Sequence, residues 1–156
     1  MITAVDTNVL LDLLVPGAPS AEDSRVALAA AYADGAVVIS EAVYAELAAR
    51  FPDRESLDQF LADTGLALMP STRESLARVG HAWREYARRR PASFSCPHCG
   101  SEQQVTCRSC GATLQPREHV LAYFLIGAHA MVHADQLLTR DRRYYRTYFP
   151  QLRLQS

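Results

Sequence analysis

Short apolar runs that alternate with helix-forming segments constrain the fold of this 156-residue chain more than any other feature. Residues 36–39 are wholly apolar, as in a strand buried on both faces of a parallel sheet. Further strands are predicted from Ile2 to the turn at Asp6, and over residues 66–69, 136–139 and 152–154. Helices are predicted over residues 21–33, 40–50, 71–90, 119–132 and 141–148, with another starting at Asp53. This alternation predicts an α/β fold, in one domain over residues 1–156, with a mostly parallel central sheet flanked by helices.

Two helix starts carry capping signals. Ser40 followed by Glu41 predicts an N-cap for the helix after the second strand. Residues 71–74 read Ser-Thr-Arg-Glu, which matches a capping box with Ser71 as the cap. Both helices are therefore expected to begin at these serines.

Residues 92–116 interrupt the pattern, because glycine, serine and cysteine replace the helix formers there. Residues 96–100 and 107–111 are matching Cys-x-x-Cys-Gly motifs, which resemble the knuckles of zinc ribbons although the link between them is short. Four thiolates favour a closed, structural Zn²⁺ site over a catalytic one. The predicted ligands are Cys96, Cys99, Cys107 and Cys110. Redox-active cysteines or disulfides are the alternatives.

The composition excludes several kinds of enzyme. All sixteen basic residues are arginine, so a nucleotide-binding loop with its phosphate-binding lysine and a Schiff-base enzyme are both ruled out. The same absence disfavours a dehalogenase-like phosphatase with Asp6 as nucleophile, as does Asn8 where a second acid is commonly needed. The formal net charge of −1 argues against a uniformly basic surface for nucleic acid.

The apolar segments of the sequence predict neither a signal peptide nor a membrane span. The first fifteen residues have no basic segment and carry Asp6 and Asp12, which does not fit a signal peptide. The apolar residues 120–132 are too few for the ~20 that span a bilayer. We therefore expect a cytoplasmic protein with no membrane partner, in which reduced cysteines are available to bind metal.

Three acids follow predicted strands. Asp6 ends the first strand, Glu46 lies on the helix after the second, and Asp141 follows residues 136–139. Functional groups in open parallel sheets collect beyond the carboxyl ends of the strands, so these acids can converge. Clustered carboxylates need cations, and oxygen ligands suit Mg²⁺ or Mn²⁺, which activate water at phosphodiesters. Singly, the same acids also suit a turn, a solvated helix face and an N-cap.

The strings at residues 5–11 (VDTNVLL), 44–47 (YAEL), 124–130 (FLIGAHA) and 137–141 (LLTRD) closely resemble PIN domains, especially the VapC-like toxins of toxin-antitoxin pairs. The resemblance implies a PIN-like fold and a metal-dependent ribonuclease with an RNA substrate. By it, Asp6, Glu46 and Asp141 are catalytic acids that bind Mg²⁺ or Mn²⁺. Its supporting polar residues are Thr7, Asn8 and Thr139. It also implies a protein antitoxin and a homodimer.

Tyr123 departs from that resemblance, because such domains carry a fourth acid at this position. A phenol with a pKa of ~10 is neutral at pH 7 and a poor Mg²⁺ ligand. His119, one helical turn earlier, is a soft substitute. Asp and Tyr codons differ by one base, so Tyr123 is either a change that disables a toxic nuclease or a natural loss of catalysis. The alternative function is a noncatalytic PIN-fold module that binds RNA or protein through its zinc ribbon.

Arginines cluster in two stretches. The second surrounds Asp141, interleaves with three tyrosines, and suits phosphate contacts and base stacking on single-stranded RNA. Its predicted RNA-binding residues are Arg140, Arg142, Arg143 and Arg146. The first stretch comprises Arg84, Arg88, Arg89 and Arg90. The alternatives are that Glu85 pairs with Arg88 or Arg89 along the helix and that the tyrosines only pack.

Overall fold

The computed structural model describes residues 1–89, 93–96, 98–114 and 120–156. The elements, in chain order, are β1 (Ile2–Val5), α1 (Thr7–Leu14), α2 (Ala21–Asp34), β2 (Ala36–Ile39), α3 (Glu41–Ala48), α4 (Arg54–Thr64), β3 (Ala67–Leu68), α5 (Arg73–Arg89), β4 (Phe94–Ser95), β5 (Glu102–Gln103), β6 (Val105–Thr106), β7 (Thr113–Leu114), α6 (Leu121–His133), β8 (Gln136–Leu138), α7 (Arg143–Tyr148) and β9 (Leu154–Gln155). The predicted strands and helices are all present, with ends that agree within two residues.

The central sheet has five strands in the order β3-β2-β1-β8-β9, and every pairing is parallel. This confirms the α/β fold with a parallel sheet. The chain moves from β1 through β2 to β3 on one side and then returns to β8 and β9 on the other. The strand order therefore reverses between β1 and β8, where crevices of open α/β sheets form. Asp6 and Thr139, which directly follow these two strands, lie at that crevice.

The sheet centre is almost wholly apolar. Val5, Ile39 and Leu137 are buried there, and α6 packs on β1 and β8. Phe124 of α6 is also buried, against Tyr86 of α5 and Tyr148 of α7. Each such side chain stabilises the fold by ~1.5–3 kcal/mol relative to an exposed one. The polar residues that follow the strands are consequently held on a rigid support.

Helix α1 was not predicted from the sequence. Only a turn was expected after Asp6, but Thr7–Leu14 is helical, with Asp6 as its N-cap residue in extended conformation. Val9 and Leu10 are buried, and α1 packs against α2. A short apolar run of this kind has no decisive period, so tertiary packing selects the helix. The consequence is that Asp6 and Thr7 stand at a sharp junction of strand and helix.

The start of α5 differs from the predicted capping box. The helix begins at Arg73, and Thr72 Oγ1 accepts the Ser75 amide at 3.3 Å. Ser71 instead donates its amide and its hydroxyl to Glu41, at 2.6 and 2.8 Å. The predicted cap Ser71 is therefore wrong, because the Glu41 carboxylate at the start of α3 competes for it. The Ser40 cap of α3 is confirmed, with Ser40 Oγ accepting the Val43 amide at 3.5 Å.

Gly127 allows α6 and α7 to approach closely. A Cβ atom at this position would lie 2.6 Å from two ring carbons of Phe149, a contact that side chains do not make. The close approach brings Tyr123 of α6 against Tyr144 and Tyr145, at centroid distances of 4.9 and 5.9 Å. The geometry around Tyr123 thus depends on a glycine one helical turn away.

The insert contains two separate antiparallel hairpins, β4–β5 and β6–β7. Its predicted boundaries at residues 92 and 116 lie outside the described residues, as do Arg90 and His119. Among the described helices, none has both the length and the apolar character needed to cross a membrane.

Candidate active site

Asp6 is held in one orientation by three side-chain donors. Its Oδ2 accepts hydrogen bonds from Asn8 Nδ2 at 2.7 Å, Thr139 Oγ1 at 2.6 Å and Tyr145 Oη at 3.0 Å. Oδ1 takes part in none of these three bonds. Asn8 and Thr139, the predicted supporting residues, therefore both contact the acid that they were expected to support.

Tyr145 is a site residue that sequence reasoning missed. Its ring is fully buried and its hydroxyl donates to Asp6. Burial first, and then the charge of Asp6, raise the pKa of Tyr145 above that of an ordinary phenol, so it remains a proton donor at any physiological pH. Nothing in the sequence separates it from Tyr144 and Tyr148, because only the packing of α7 decides which tyrosine points inward.

The Asp6 carboxyl has a raised pKa. Burial is the main cause, and it outweighs the hydrogen bonds from Thr139 and Tyr145, which favour the ionised form. Glu46 adds a smaller repulsive contribution in the same direction. A buried acid that is reluctant to ionise would gain from a nearby cation.

We expect Asp6→Asn to stabilise the metal-free chain at neutral pH. A carboxyl with a raised folded-state pKa contributes stability below its unfolded pKa of ~3.9, and this contribution is lost as the pH rises through the folded value. The amide mimics the protonated acid, so the melting temperature at pH 8 should rise by ~2–4 °C, or ~1 kcal/mol, and the gain should shrink towards pH 4. Thermal unfolding in EDTA, followed from pH 8 to pH 4, measures the gain in melting temperature and its decrease with pH.

Asp12→Asn is the matched control for that experiment. Asp12 is also a buried carboxylate, but it pairs with Arg140, with Nε to Oδ2 at 2.5 Å, and accepts the Ser24 hydroxyl at 2.6 Å. Removing its charge leaves the Arg140 guanidinium without its counter-ion and should lower the melting temperature. Destabilisation by both substitutions would contradict the argument for Asp6.

Glu46 of α3 faces the same pocket as Asp6. The hydroxyl of Thr7 donates to Glu46 Oε2, which connects the start of α1 with α3. The pocket has a volume of about 490 Å³, and its polar lining comprises Asp6, Thr7, Asn8, Glu46, Arg50 and Tyr123. Two of the three predicted acids therefore share one cavity with Tyr123.

Asp141 is connected to this cavity by its hydrogen bond with Tyr123. Its Oδ1 accepts the Arg143 amide at the start of α7 at 3.0 Å, and its own amide donates to Thr139 Oγ1 at 3.1 Å. Burial, followed by the charge of Asp141 and a hydrogen bond to it, raises the pKa of Tyr123 to about 12. Asp6 and Glu46 act on the same phenol more weakly. A neutral phenol thus stands among all three acids.

The oxygen atoms of this site are of the chemical type that binds a hard cation. Mg²⁺ and Mn²⁺ bind carboxylate oxygens, and the neighbouring hydroxyls hold these oxygens in place. A bound cation would also reduce the free-energy cost of ionising Asp6 next to Glu46. Within the described part of the chain, no three Asp, Glu, His or Cys side chains form a group that could hold a metal ion. The site therefore has suitable oxygens but not the closely gathered set that was predicted.

The four arginines after β8 have different surroundings. Arg140 is tied to Asp12 and also donates from its side chain to the Asn8 carbonyl, so its guanidinium has an internal role. Arg142 bonds the Ser156 hydroxyl. Arg143 and Arg146 are exposed, and Arg143 lies 5.5 Å from the centre of the Tyr144 ring. Arg143 and Arg146 are the two whose surroundings best suit phosphate contacts.

The two cysteine motifs have the same local geometry. Gly100 and Gly111 adopt φ angles of 73° and 72°, in the left-handed region that glycine tolerates best. Their amides donate to the carbonyls of Cys96 and Cys107 at 2.9 and 2.8 Å. All four cysteines are free thiols, and a hydrogen bond with Ser101 is the first cause that lowers the pKa of Cys99 to about 7. Each motif is thus a knuckle turn that presents two thiols.

Comparison with known proteins places this geometry in a family. A profile of the PIN domain matches residues 3–93, more than half of the chain and including Asp6 and Glu46. VapBC2 from Rickettsia felis, bound to a DNA fragment from its promoter, matches with a TM-score of 0.60 and 19% identity, over 99% of this chain and 98% of the other. A toxin-antitoxin complex from Klebsiella pneumoniae matches with a TM-score of 0.59 and 18% identity, over 99% and 96%.

FitAcB from Neisseria gonorrhoeae also matches, with a TM-score of 0.59 and 19% identity, over 100% of this chain and 97% of the other. No curated protein matches the sequence. At these sequence identities the solved structures show a shared fold. The profile match, which covers more than half of the chain, shows membership of a family. The resemblance read from the sequence is confirmed at this level: the chain belongs to the PIN domain family.

Proposed function

We propose that this protein is a toxin-type, metal-dependent endoribonuclease whose cleavage is impaired by Tyr123. The observation that carries the proposal is the buried Asp6 carboxylate, oriented by three donors and facing Glu46 across a pocket. Perturbed acids in a pocket at the carboxyl edge of a parallel sheet are typical of catalytic sites. PIN domains are generally nucleases, which supports the same conclusion.

Asp6, Glu46 and Asp141 would hold the cation, which would supply Lewis-acid activation of water and stabilise charge on the phosphodiester. Asn8, Thr139 and Tyr145 orient Asp6, and Thr7 orients Glu46. Exposed Arg143 and Arg146 lie on α7, next to the acid at its start, and would neutralise RNA phosphates. In this arrangement the supporting residues remove side-chain freedom before substrate binds, which lowers the cost of forming the reactive geometry.

Cleavage of labelled single-stranded RNA tests the proposal. We expect slow cleavage in Mn²⁺ or Mg²⁺, none in EDTA, and a further loss of ~10-fold or more in Glu46→Gln. Glu55→Gln is the matched control, because Glu55 is an exposed acid on α4 whose ion pair is with the neighbouring Arg54. Cleavage that survives EDTA, or that both variants leave unchanged, would contradict the assignment of the acids.

We further propose a protein antitoxin, a homodimer and a cytoplasmic location. The support is the fold shared with chains from toxin-antitoxin complexes of three bacteria. These proposals concern assembly, and they stand apart from the cleavage test.

A noncatalytic PIN-fold module that binds RNA or protein is the second candidate. The specific observation in its favour is Tyr123, whose neutral phenol binds Asp141 where the resemblance expects an acid. A module of this kind would bind RNA without cleaving it, even after aspartate is restored at position 123.

Zinc is proposed for the insert. Each knuckle presents two thiols from a glycine-closed turn, and a Zn²⁺ ion bound by all four would have to bring the two knuckles together, because the described residues do not gather three of these thiols into one group. Zn²⁺ would join the β4–β5 hairpin to the β6–β7 hairpin, which are too short to share an apolar core of their own.

A further inference from the structure

A groove lined by arginines lies between α5 and α7, and nothing in the proposed catalysis uses it. It has a volume of about 580 Å³, and its charged lining comprises Arg78, Arg84, Glu85, Arg88 and Arg89. We call this cavity the arginine groove. Among the described residues of its lining, four arginines against one glutamate give a formal charge of +3, on a chain whose total is −1. The groove is therefore a basic site on a chain that is slightly acidic overall.

The ion pairs within the arginine groove are weak. Arg88 and Arg89 share Glu85, at 3.3 and 3.4 Å, and Arg78 pairs with Glu74, outside the lining, at 3.0 Å. All of these groups are exposed, and exposed ion pairs contribute little to stability, so a polyanion can displace them. One carboxylate cannot neutralise Arg84, Arg88 and Arg89 together.

Three tyrosine rings connect the arginine groove with the acid pocket. Tyr123 lines the acid pocket and stacks on Tyr144 at 4.9 Å between ring centres, with 29° between planes. Tyr144 in turn lies 6.5 Å from Tyr148 at 16°, and Tyr148 lines the arginine groove. We call Tyr123, Tyr144 and Tyr148 the tyrosine ladder. All three rings are only partly buried.

An arginine side chain lies beside the tyrosine ladder. The Arg143 guanidinium carbon lies 5.5 Å from the centre of the Tyr144 ring. Nearly parallel rings beside a basic groove match the two requirements of single-stranded nucleic acid, which are flat surfaces for bases and positive charge for phosphates. An acidic peptide needs only the charge and would have no use for the rings.

We infer that single-stranded RNA, on leaving the acid pocket, runs along the tyrosine ladder into the arginine groove. The inference rests on the proposed function in one respect, namely that the substrate is RNA. By this inference the arginine groove is an extended binding site, which holds nucleotides several positions from the scissile bond. Long substrates should then bind more tightly than short ones, whereas a site restricted to the acid pocket would not distinguish them.

Fluorescence anisotropy of labelled oligouridine in EDTA tests the inference without cleavage. The groove variant Arg84→Gln/Arg88→Gln should bind a 12-nucleotide strand at least ~10-fold more weakly, and its salt slope should fall by about 1.4, at ~0.7 per lost phosphate contact. The matched control Arg25→Gln/Arg54→Gln removes the same charge from exposed ion-paired arginines on α2 and α4 and should change binding less than twofold. Equal losses in both variants would overturn the inference.

Tyr144 tests the ladder. Tyr144→Leu should weaken binding of the 12-nucleotide strand about tenfold, whereas Tyr144→Phe keeps the ring and should retain it. A melting curve for each variant separates lost stacking from lost folding. Equal weakening in both variants, or no weakening in either, would refute a stacking role.

Two further arms separate the possible failures. If polyglutamate competes with RNA at equal charge concentration, the groove is a site for acidic proteins and the inference is overturned. If the groove variants cleave and bind 12-nucleotide and 4-nucleotide RNA like the parent, only the inference fails and the nuclease stands. If the parent neither binds nor cleaves any RNA and Tyr123→Asp does not restore cleavage, the proposed function itself fails.

Discussion

Replacing Tyr123 with aspartate should increase Mn²⁺-dependent RNA cleavage by on the order of 100-fold. The phenol contacts Asp141 and lies within electrostatic reach of Asp6 and Glu46, so an acid here adds an oxygen ligand that can complete a set which the three acids do not form by themselves. With a pKa of about 12, Tyr123 stays neutral over any practical assay range, and raising the pH cannot substitute for the mutation. Initial rates on labelled RNA, with metal and with EDTA, measure the gain.

Three controls divide this effect into its parts. Tyr123→Ala opens the space without adding an acid and should restore less activity than aspartate. Tyr123→Phe keeps the bulk, loses the hydroxyl that binds Asp141, and should cleave no faster than the parent. Asp6→Asn added to Tyr123→Asp should abolish the gain. If Tyr123→Asp cleaves no faster than the parent while both bind RNA, the noncatalytic module is the better description.

The reduced protein should contain about one zinc per chain, and Cys99→Ser/Cys107→Ser should lose it. Structural zinc sites of four thiolates bind with ~10–16 kcal/mol at neutral pH, which is far more than two short hairpins gain from packing. The variant should become sensitive to protease within residues 92–116, whereas the sheet should remain intact because its core includes none of the described residues of the insert. Elemental analysis and mapped proteolysis measure the two effects.

His98→Ala is the control for the zinc site. His98 lies inside the first knuckle and is exposed, and four cysteines already complete a tetrahedral shell, so this variant should keep its metal. Loss of zinc from His98→Ala would instead indicate a ligand set of three cysteines and one histidine. Cysteine-intact, reduced protein with no zinc would contradict the assignment altogether.

Much of the fold could be predicted because its signals are local. The apolar run of β2, the Ser40 cap and the turn signals between elements each depend on a few neighbouring residues, and the structure agrees with them. The Ser71 cap failed because Glu41, thirty residues away, takes the Ser71 hydroxyl. Helix α1 was missed for a related reason, since its apolar residues fit either period until α2 packs against them.

The residues of the candidate site also fall into two groups, those that the sequence indicated and those that only the packing revealed. Asp6 could be singled out because it follows a strand of a parallel sheet, where polar groups gather. Asn8 and Thr139 were expected from the resemblance to PIN domains. Tyr145 could not, because three tyrosines follow Asp141 within one short helix and their pattern does not distinguish them. The internal pairing of Arg140 with Asp12 was equally hidden, because these residues are 128 positions apart.

The sequence by itself determined the α/β class, the parallel sheet, the edge at which the acids follow their strands, and the knuckle motifs of the insert. These follow from periodicity and short-range chemistry, which act between neighbours along the chain. Only the tertiary structure decided that three donors meet on one oxygen of Asp6, that Tyr123 stands among the acids, and that its ring begins a ladder towards an arginine groove. Such relations depend on how helices pack across the sheet, and close packing brings together residues whose separation along the chain carries no signal of their contact.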